Sequence, residues 1–408
     1  MRARWAVPLI LASLTVAAGG CGGVSISASE TTGNQLAIYS SLPLQGPSAQ
    51  PASEMVNGER LALAQAGGRV GRFRVGFVSL DDVNPSTGTL DPGITASNAK
   101  MAAQDTSTIA YVGEYSSAAT AVSLPLINAA GILQVSPGSP YQGLTSSLDA
   151  GQYEPQRFYP SGLRTFGRLQ PGDQVQAAAQ VSLLRALGVH SVFVLDDQNP
   201  FEIPLAQLVA QRAHSAGIAV AGRESASIGT NTAFAGEVEK VVHSGAQALF
   251  FAGGAEQGAV ALWRQLHAAD PGLMLLGSSA MVTEAFTSAI GAAGATTYLT
   301  TPALSPASYP PEGVKMLVDY RRRFGYEGGP YALYGFEAMS VVLEAIRRAG
   351  AGGNDRTAVI RSFFATHERH SVLGTYSIRP NGETTLAQYG VDRVQRGRPV
   401  FYRALQVG

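Results

Sequence analysis

Short apolar runs that stop at glycine, proline or paired acids alternate with stretches of helical spacing along the first part of this chain. Leu36 to Ser41 predicts a strand that runs into the turn Leu42-Pro43-Leu44-Gln45-Gly46-Pro47. Met55 to Gly68 places apolar residues at helical spacing and stops at Gly67-Gly68. Arg74 to Leu80 predicts a further strand closed by Asp81-Asp82, and Asn98 to Ala103 predicts a helix. Ile109 to Val112 is an apolar run ended by Gly113, and Ile132 to Val135 is another ended by Pro137-Gly138. Strands that alternate with helices in this way predict a parallel sheet covered by helices on both faces.

The second half repeats the rhythm. Val175 to Leu187 predicts a helix ended by Gly188, and Ser191 to Leu195 a strand leading into Asp196-Asp197-Gln198-Asn199-Pro200. Leu205 to Ala216 is helical with Gly217 as its stop. Ala248 to Phe251 is a strand ending at Gly253-Gly254, Val260 to Ala269 a helix, and Met274 to Leu276 another strand. Tyr141 to Ser161 is a long, aromatic, Pro/Gly-rich connection. It reads either as a lip over a cleft or as a surface loop.

Ser116 and Ser117 stand where the helix after Gly113 begins. A serine there caps free backbone N–H groups, and those groups with the helix dipole favour an anion. In a parallel sheet this loop lies at the carboxyl ends of the strands, where open α/β folds bind ligands. The alternative is an ordinary helix cap with no ligand.

Composition narrows the function classes. A chain of 408 residues with 29 basic and 29 acidic side chains has a formal net charge of +0, which gives no electrostatic case for nucleic acid. Lysine occurs only at positions 100, 240 and 315, a skew toward arginine. At the N-terminus, Arg2 and Arg4 precede an apolar run from Trp5 to Ala18, then Gly19, Gly20 and Cys21. The run is too short to span a bilayer and carries Pro8, so residues 1–21 read as a secretory signal. Cys21 is the only cysteine, which rules out an intramolecular disulfide. It resembles the lipidated cysteine of bacterial lipoproteins, with Ala18 where leucine is usual; a plain signal peptide cut near Ala18 is the alternative. Residues 22–33 are polar and Gly/Ser/Thr-rich, a flexible tether with an r.m.s. reach of roughly 20 Å.

Catalytic constellations are absent from the sequence. His367-Glu368-Arg369-His370 sets its histidines three apart rather than four, so the HExxH zinc motif is not met, and solvated surface histidines are the expected reading. There is no GxSxG elbow and no P-loop. Gly253-Gly254-Ala255-Glu256-Gln257-Gly258 lacks the G-x-G spacing and reads as a tight strand-to-helix turn. Asp81-Asp82 and Asp196-Asp197 sit at strand ends, where capping helices or satisfying loop amides is expected of them.

The ordered set Pro43…Gly46-Pro47, Asn57-Gly58, Gly67-Gly68, Asp81-Asp82, Gly113…Ser116-Ser117 and Ser136-Pro137-Gly138 resembles the substrate-binding proteins of branched-chain amino acid-type ABC transporters. The likeness continues through Leu163-Arg164-Thr165, Val192 to Asp197, Phe250 to Gly254 and Gly374 to Thr384. It implies the type I periplasmic-binding fold: two Rossmann-like α/β lobes with parallel central sheets, joined by a three-strand hinge. It implies crossovers near Arg164, Thr301 and Thr375, so that residues 34–164 with 301–374 form one lobe and 165–300 with 375–408 the other. A monomer that works with ABC permease subunits, touches the membrane only through a lipid anchor and needs no cofactor is what the family implies. A ligand sensor of the same fold, reporting to a signalling partner, is the second reading, and a lipoprotein enzyme a third.

The resemblance also implies site residues. Ser117, with nearby backbone N–H groups, matches the position that holds a ligand α-carboxylate. Gly138 matches a carbonyl facing the α-ammonium, and Phe201 an aromatic wall from the second lobe. Ser116, Ala119 and Ser139 complete this side of the site. Three positions depart from the family: Pro140 replaces a hydroxyl residue, Ala255 a tyrosine, and Ser279 lies where an acid neutralises the ammonium. Burying an ammonium without a counter-charge costs several kcal/mol. The expected ligand is therefore a small polar or carboxylate-bearing molecule, amino-acid-like or an organic acid, rather than a free branched-chain amino acid.

Overall fold

The structure, a computed structural model, describes residues 31–407 apart from 32 and 149. The signal segment 1–21, Cys21 and most of the 22–33 tether lie outside the described residues. Thr31 belongs to the folded body already: it is buried, and its backbone N–H donates to the Asn354 carbonyl at 2.8 Å.

Two sheets organise the chain. The first has six strands in the order Arg69–Val70, Phe73–Asp81, Gln35–Leu42, Thr108–Val112, Leu133–Ser136 and Phe166–Arg168. All neighbours are parallel except the short first strand. The second has seven strands in the order Ala219–Ser225, Ser191–Asp196, Ala248–Ala252, Met274–Gly277, Thr297–Thr301, Gln388–Gln395 and Arg398–Gln406. Its first five strands are parallel and the last two antiparallel.

Helices cover both faces of each sheet, as near-continuous apolar strands require. On the first sheet, the helices Ala49–Gln65 and Tyr331–Ala349 bury Met55, Leu333 and Val342 on one face. The helices Pro92–Gln104 and Ser117–Ala129 bury Ala99, Ala102 and Ile127 on the other. The pair Ala49–Gln65 and Tyr331–Ala349 crosses backbone to backbone at reciprocal glycines. A Cβ on Gly58 would lie 2.1 Å from the Ala332 carbonyl oxygen, and one on Gly335 would lie 2.0 Å from that of Met55. That contact is the structural reason for the Asn57-Gly58 pair. On the second sheet, Asp173–Ala186 and Ile203–Ser215 cover one face, and Ala235–His243 and Gln257–Ala269 the other.

The chain passes between the sheets three times, and two of the passages lie later than expected. Phe166–Arg168 pairs with Leu133–Ser136, so the first follows Arg168 rather than Arg164. The second follows Thr301, the end of a strand of the second sheet. Tyr376 and Ile378 still belong to the first lobe's core, so the third lies between Ile378 and Gln388 rather than at Thr375. Fully buried Arg168 fixes the first and third segments together. Its guanidinium donates to both carboxylate oxygens of Glu383, to the carbonyls of Ser139 and Tyr141 at 2.7 Å each, and to Thr145 Oγ1 at 2.9 Å. The Glu383 carboxyl is pushed up by burial, but Arg168 outweighs this and holds it below its ordinary value.

Candidate functional site

Parallel strands in both lobes deliver their carboxyl-terminal loops to one cleft of about 440 Å³. Pro43, Asp82, Tyr115 and Pro140 come from loops of the first sheet, and Asn199, Gly254 and Ser279 from loops of the second. Thr301, at the end of its strand, is followed by Pro302, which also lines the cleft with Tyr331, the first residue of its helix.

Of the residues singled out from sequence, Ser116, Ser117, Phe201, Ala255 and Ser279 line this cleft. Ser116 caps the helix Ser117–Ala129 by accepting from Ala119 N–H at 3.2 Å. The Ser117 hydroxyl accepts from Tyr141 N–H at 3.1 Å, which leaves its own proton for another acceptor. The N–H groups of Ser117 and Ala118 precede the first helical bond, and both residues face the cleft. A hydroxyl and two backbone N–H groups at a helix N-terminus can hold a carboxylate or another acceptor-rich group.

Ala119, Gly138 and Ser139 lie behind the cleft rather than on it. Ala119 is fully buried, and its N–H is taken by the Ser116 cap. Gly138 packs against the Tyr115 turn so tightly that a Cβ would lie 2.1 Å from the Tyr115 carbonyl oxygen. Ser139 is fully buried, its hydroxyl 2.6 Å from that of Thr120 and 3.1 Å from the Glu114 carbonyl. These residues shape the loop whose surface Tyr115, Ser117 and Pro140 form.

Phe201 is presented by an Asx turn, in which Asn199 Oδ1 accepts from Phe201 N–H at 3.0 Å. Its ring meets Tyr141 edge-on at 5.2 Å, an aromatic contact between the lobes worth about 0.5–1.5 kcal/mol. Tyr141 belongs to a buried cluster with Leu144, Phe158 and Tyr159. The Tyr141–Ser161 connection is thus a packed element that supports the cleft, rather than a lip or an unanchored surface loop. Ser279 donates its N–H to Gln176 Oε1 at 3.0 Å, so that amide is already satisfied.

The strand-end acids divide. Asp81 accepts from the amides of Leu44 and Val83 at 2.9 and 3.1 Å, Asp196 from Gln198 at 3.1 Å, and Asp197 from Asn199 and Gly254 at 2.9 and 3.0 Å. Satisfying loop amides is therefore their role. Asp82 differs: it lines the cleft, is 1% exposed, receives no amide or alcohol donor at Oδ1 among the described residues, and pairs its carboxyl with that of Glu114. Burial pushes it up to about 6, and the nearby Glu114 is raised well above its ordinary value by burial and by Asp82.

Sequence reasoning passed over Glu202 and Glu256, which also line the cleft, each one residue beyond a position it had singled out. Gln176 and Tyr331 were missed because they sit at or near the starts of helices, and nothing in apolar spacing says which polar residue there faces a cleft. The His367–His370 motif does not share a helix face: His370 lies in the strand Arg369–Ser371, and both histidines are exposed. Among the described residues no cluster of metal-ligating side chains forms, and no helix is long and apolar enough to cross a membrane.

A family profile described as periplasmic binding protein matches residues 40–398. The Leu/Ile/Val-binding protein homolog 1 of Brucella suis biovar 1 (strain 1330) is 25% identical over 372 residues, which cover 90% of this chain and 92% of that protein. The leucine binding protein LivK of Thermotoga maritima superposes with a TM-score of 0.76 at 20% identity, over 91% of this chain and 99% of its own. A solute binding protein of an ABC transporter from Rhodopseudomonas palustris HaA2, solved in complex with p-hydroxybenzoic acid, gives a TM-score of 0.74 at 16% identity, over 91% of this chain and 97% of its own. At these identities the likeness to the solved structures is one of fold.

Proposed function

We propose, since the chain belongs to the periplasmic binding protein family, that it is the extracytoplasmic solute receptor of an ABC importer. It captures a small polar ligand, amino-acid-like or an organic acid, in the cleft between its lobes. Closure about the three connecting segments buries the ligand and offers a closed surface to the permease. The observation that carries this reading is the convergence of strand-end loops from both sheets on one cleft of about 440 Å³, with Ser117 and free helix N–H groups on one wall. Relatives described as binding Leu/Ile/Val or p-hydroxybenzoic acid support a ligand of this size. The protein acts as a monomer without a cofactor or catalytic turnover, and Cys21 carries a lipid that holds it at the outer side of the cell membrane.

A thermal-shift screen over amino acids, organic acids, aromatic acids and amides tests the receptor role. A ligand that binds only the folded state raises the midpoint by mass action. Several related compounds should do so at low concentration. A folded protein whose midpoint no small molecule moves would refute the reading.

A further inference from the structure

Every charged side chain that lines the cleft is an acid: Asp82, Glu202 and Glu256, with no lysine, arginine or histidine among the described residues that face it. One of the three has an oxygen that nothing satisfies, and another belongs to a buried carboxyl pair. Asp82, from the first lobe, is 1% exposed and is paired with the buried Glu114 carboxyl, with no amide or alcohol donor on its Oδ1. Glu202, from the second lobe, has a buried Oε2 without a partner, and although it stands at the head of the helix Ile203–Ser215 its side chain does not cap it.

A buried carboxyl without a donor is costly to keep. A protein meets that cost where the donor arrives with a ligand. Other carboxyls surround both groups. Asp173, Asp197, Glu256 and Asp196 disfavour charge on Glu202, and Asp81 does so on Asp82, whereas Glu114 hydrogen-bonds Asp82 and favours its charged form. Burial and these neighbours hold Glu202 well above the usual carboxylate range, so it keeps its proton until a cation takes that place.

We infer that the cleft takes a ligand with net positive charge, an ammonium or guanidinium compound, with Glu202 and Asp82 as its counter-charges from the two lobes. The ligand's N–H donors satisfy the open Glu202 oxygen, and its charge takes the place of the Glu202 proton opposite Asp82. Closure and charge neutralisation are then one event. The acid missing at Ser279 is made good from other loops, one residue after Phe201 and one after Asp81. This inference rests on the receptor reading and narrows its solute to a cationic, amine-bearing compound, to the exclusion of the organic acid.

Calorimetry with shape-matched probes tests it. L-arginine and L-citrulline differ in a guanidinium against a neutral urea; butane-1,4-diamine and butanedioate carry opposite charges. The cationic member of each pair should bind about tenfold tighter or more. Glu202→Gln and Asp82→Asn should each weaken L-arginine or the diamine about tenfold while leaving the thermal midpoint unchanged or raised. Tighter binding of citrulline or butanedioate, or cation binding indifferent to both substitutions, would overturn the inference. If none of these probes binds and the broad screen yields only neutral or anionic ligands, the inference falls and the receptor stands. If that screen yields no ligand of any charge, both fall.

Discussion

Glu59 lies inside the helix Ala49–Gln65, fully buried, and neither its carboxyl oxygens nor the facing Ser40 hydroxyl forms a hydrogen bond of good geometry among the described residues. Burial pushes its pKa from 4.5 up to about 8. The folded state therefore holds a proton that the unfolded chain gives up between those values. With respect to this group stability is full below pH 4.5, the unfolded value, and it falls as the pH rises toward 8, where the native carboxyl must ionise in the core. At about 1.4 kcal/mol per pH unit the full loss is about 5 kcal/mol. Glu59→Gln keeps the shape and removes the ionisation. Urea unfolding at pH 5, 6, 7 and 8 should show the variant gaining on the wild type by about 1 kcal/mol or more per pH unit up to pH 8. A constant difference between the two proteins across that range would refute the argument.

Three further outcomes are expected, two from the geometry and one from the sequence of the leader. Ser117→Ala should weaken binding of a screened ligand roughly tenfold to a hundredfold by calorimetry if the hydroxyl bonds a charged group. If Ser117 serves only as an acceptor for Tyr141, stability drops by about 1 kcal/mol and affinity does not change. Glu383→Ala leaves the Arg168 guanidinium buried without its counter-ion and should cost about 3–5 kcal/mol in denaturant unfolding. The stabilisation Glu383 gives is present above its unfolded pKa and is lost as the pH falls through its lower native value. Cys21→Ser should release the protein from membranes or leave its precursor uncut; a mature N-terminus upstream of Cys21 without lipid mass would contradict the anchor.

Much of the fold was readable because the decisive signals are local. Apolar runs such as Thr108–Val112, bounded by Gly113, carry their own boundaries, and Ser116 announces the helix it caps. The passages between lobes were not readable to the same degree. Phe166–Arg168 is a three-residue strand with a charged, fully buried residue, and the partner that makes this tolerable, Glu383, lies 215 positions away. Ala219–Ser225 alternates half-buried and exposed positions at a sheet edge, so no apolar run marks it.

The site shows the same division. Ser116 and Ser117 were legible from their place after a strand end, and Phe201 from the family resemblance. Asp82 was not: in sequence it is the twin of Asp81, and only the fold gives one of them three donors and pairs the other with the buried Glu114 carboxyl. The resemblance put Gly138 and Ser139 at the ligand, but whether such a residue touches the ligand or the loop behind it depends on packing that spacing does not encode.

Small-angle scattering, with and without the compound that most raises the thermal midpoint, tests the central claim most directly. A two-lobed receptor that closes on its solute should show a smaller radius of gyration at saturation, with no change in mass. Identical scattering curves in the presence of a saturating, calorimetrically verified ligand would contradict the account.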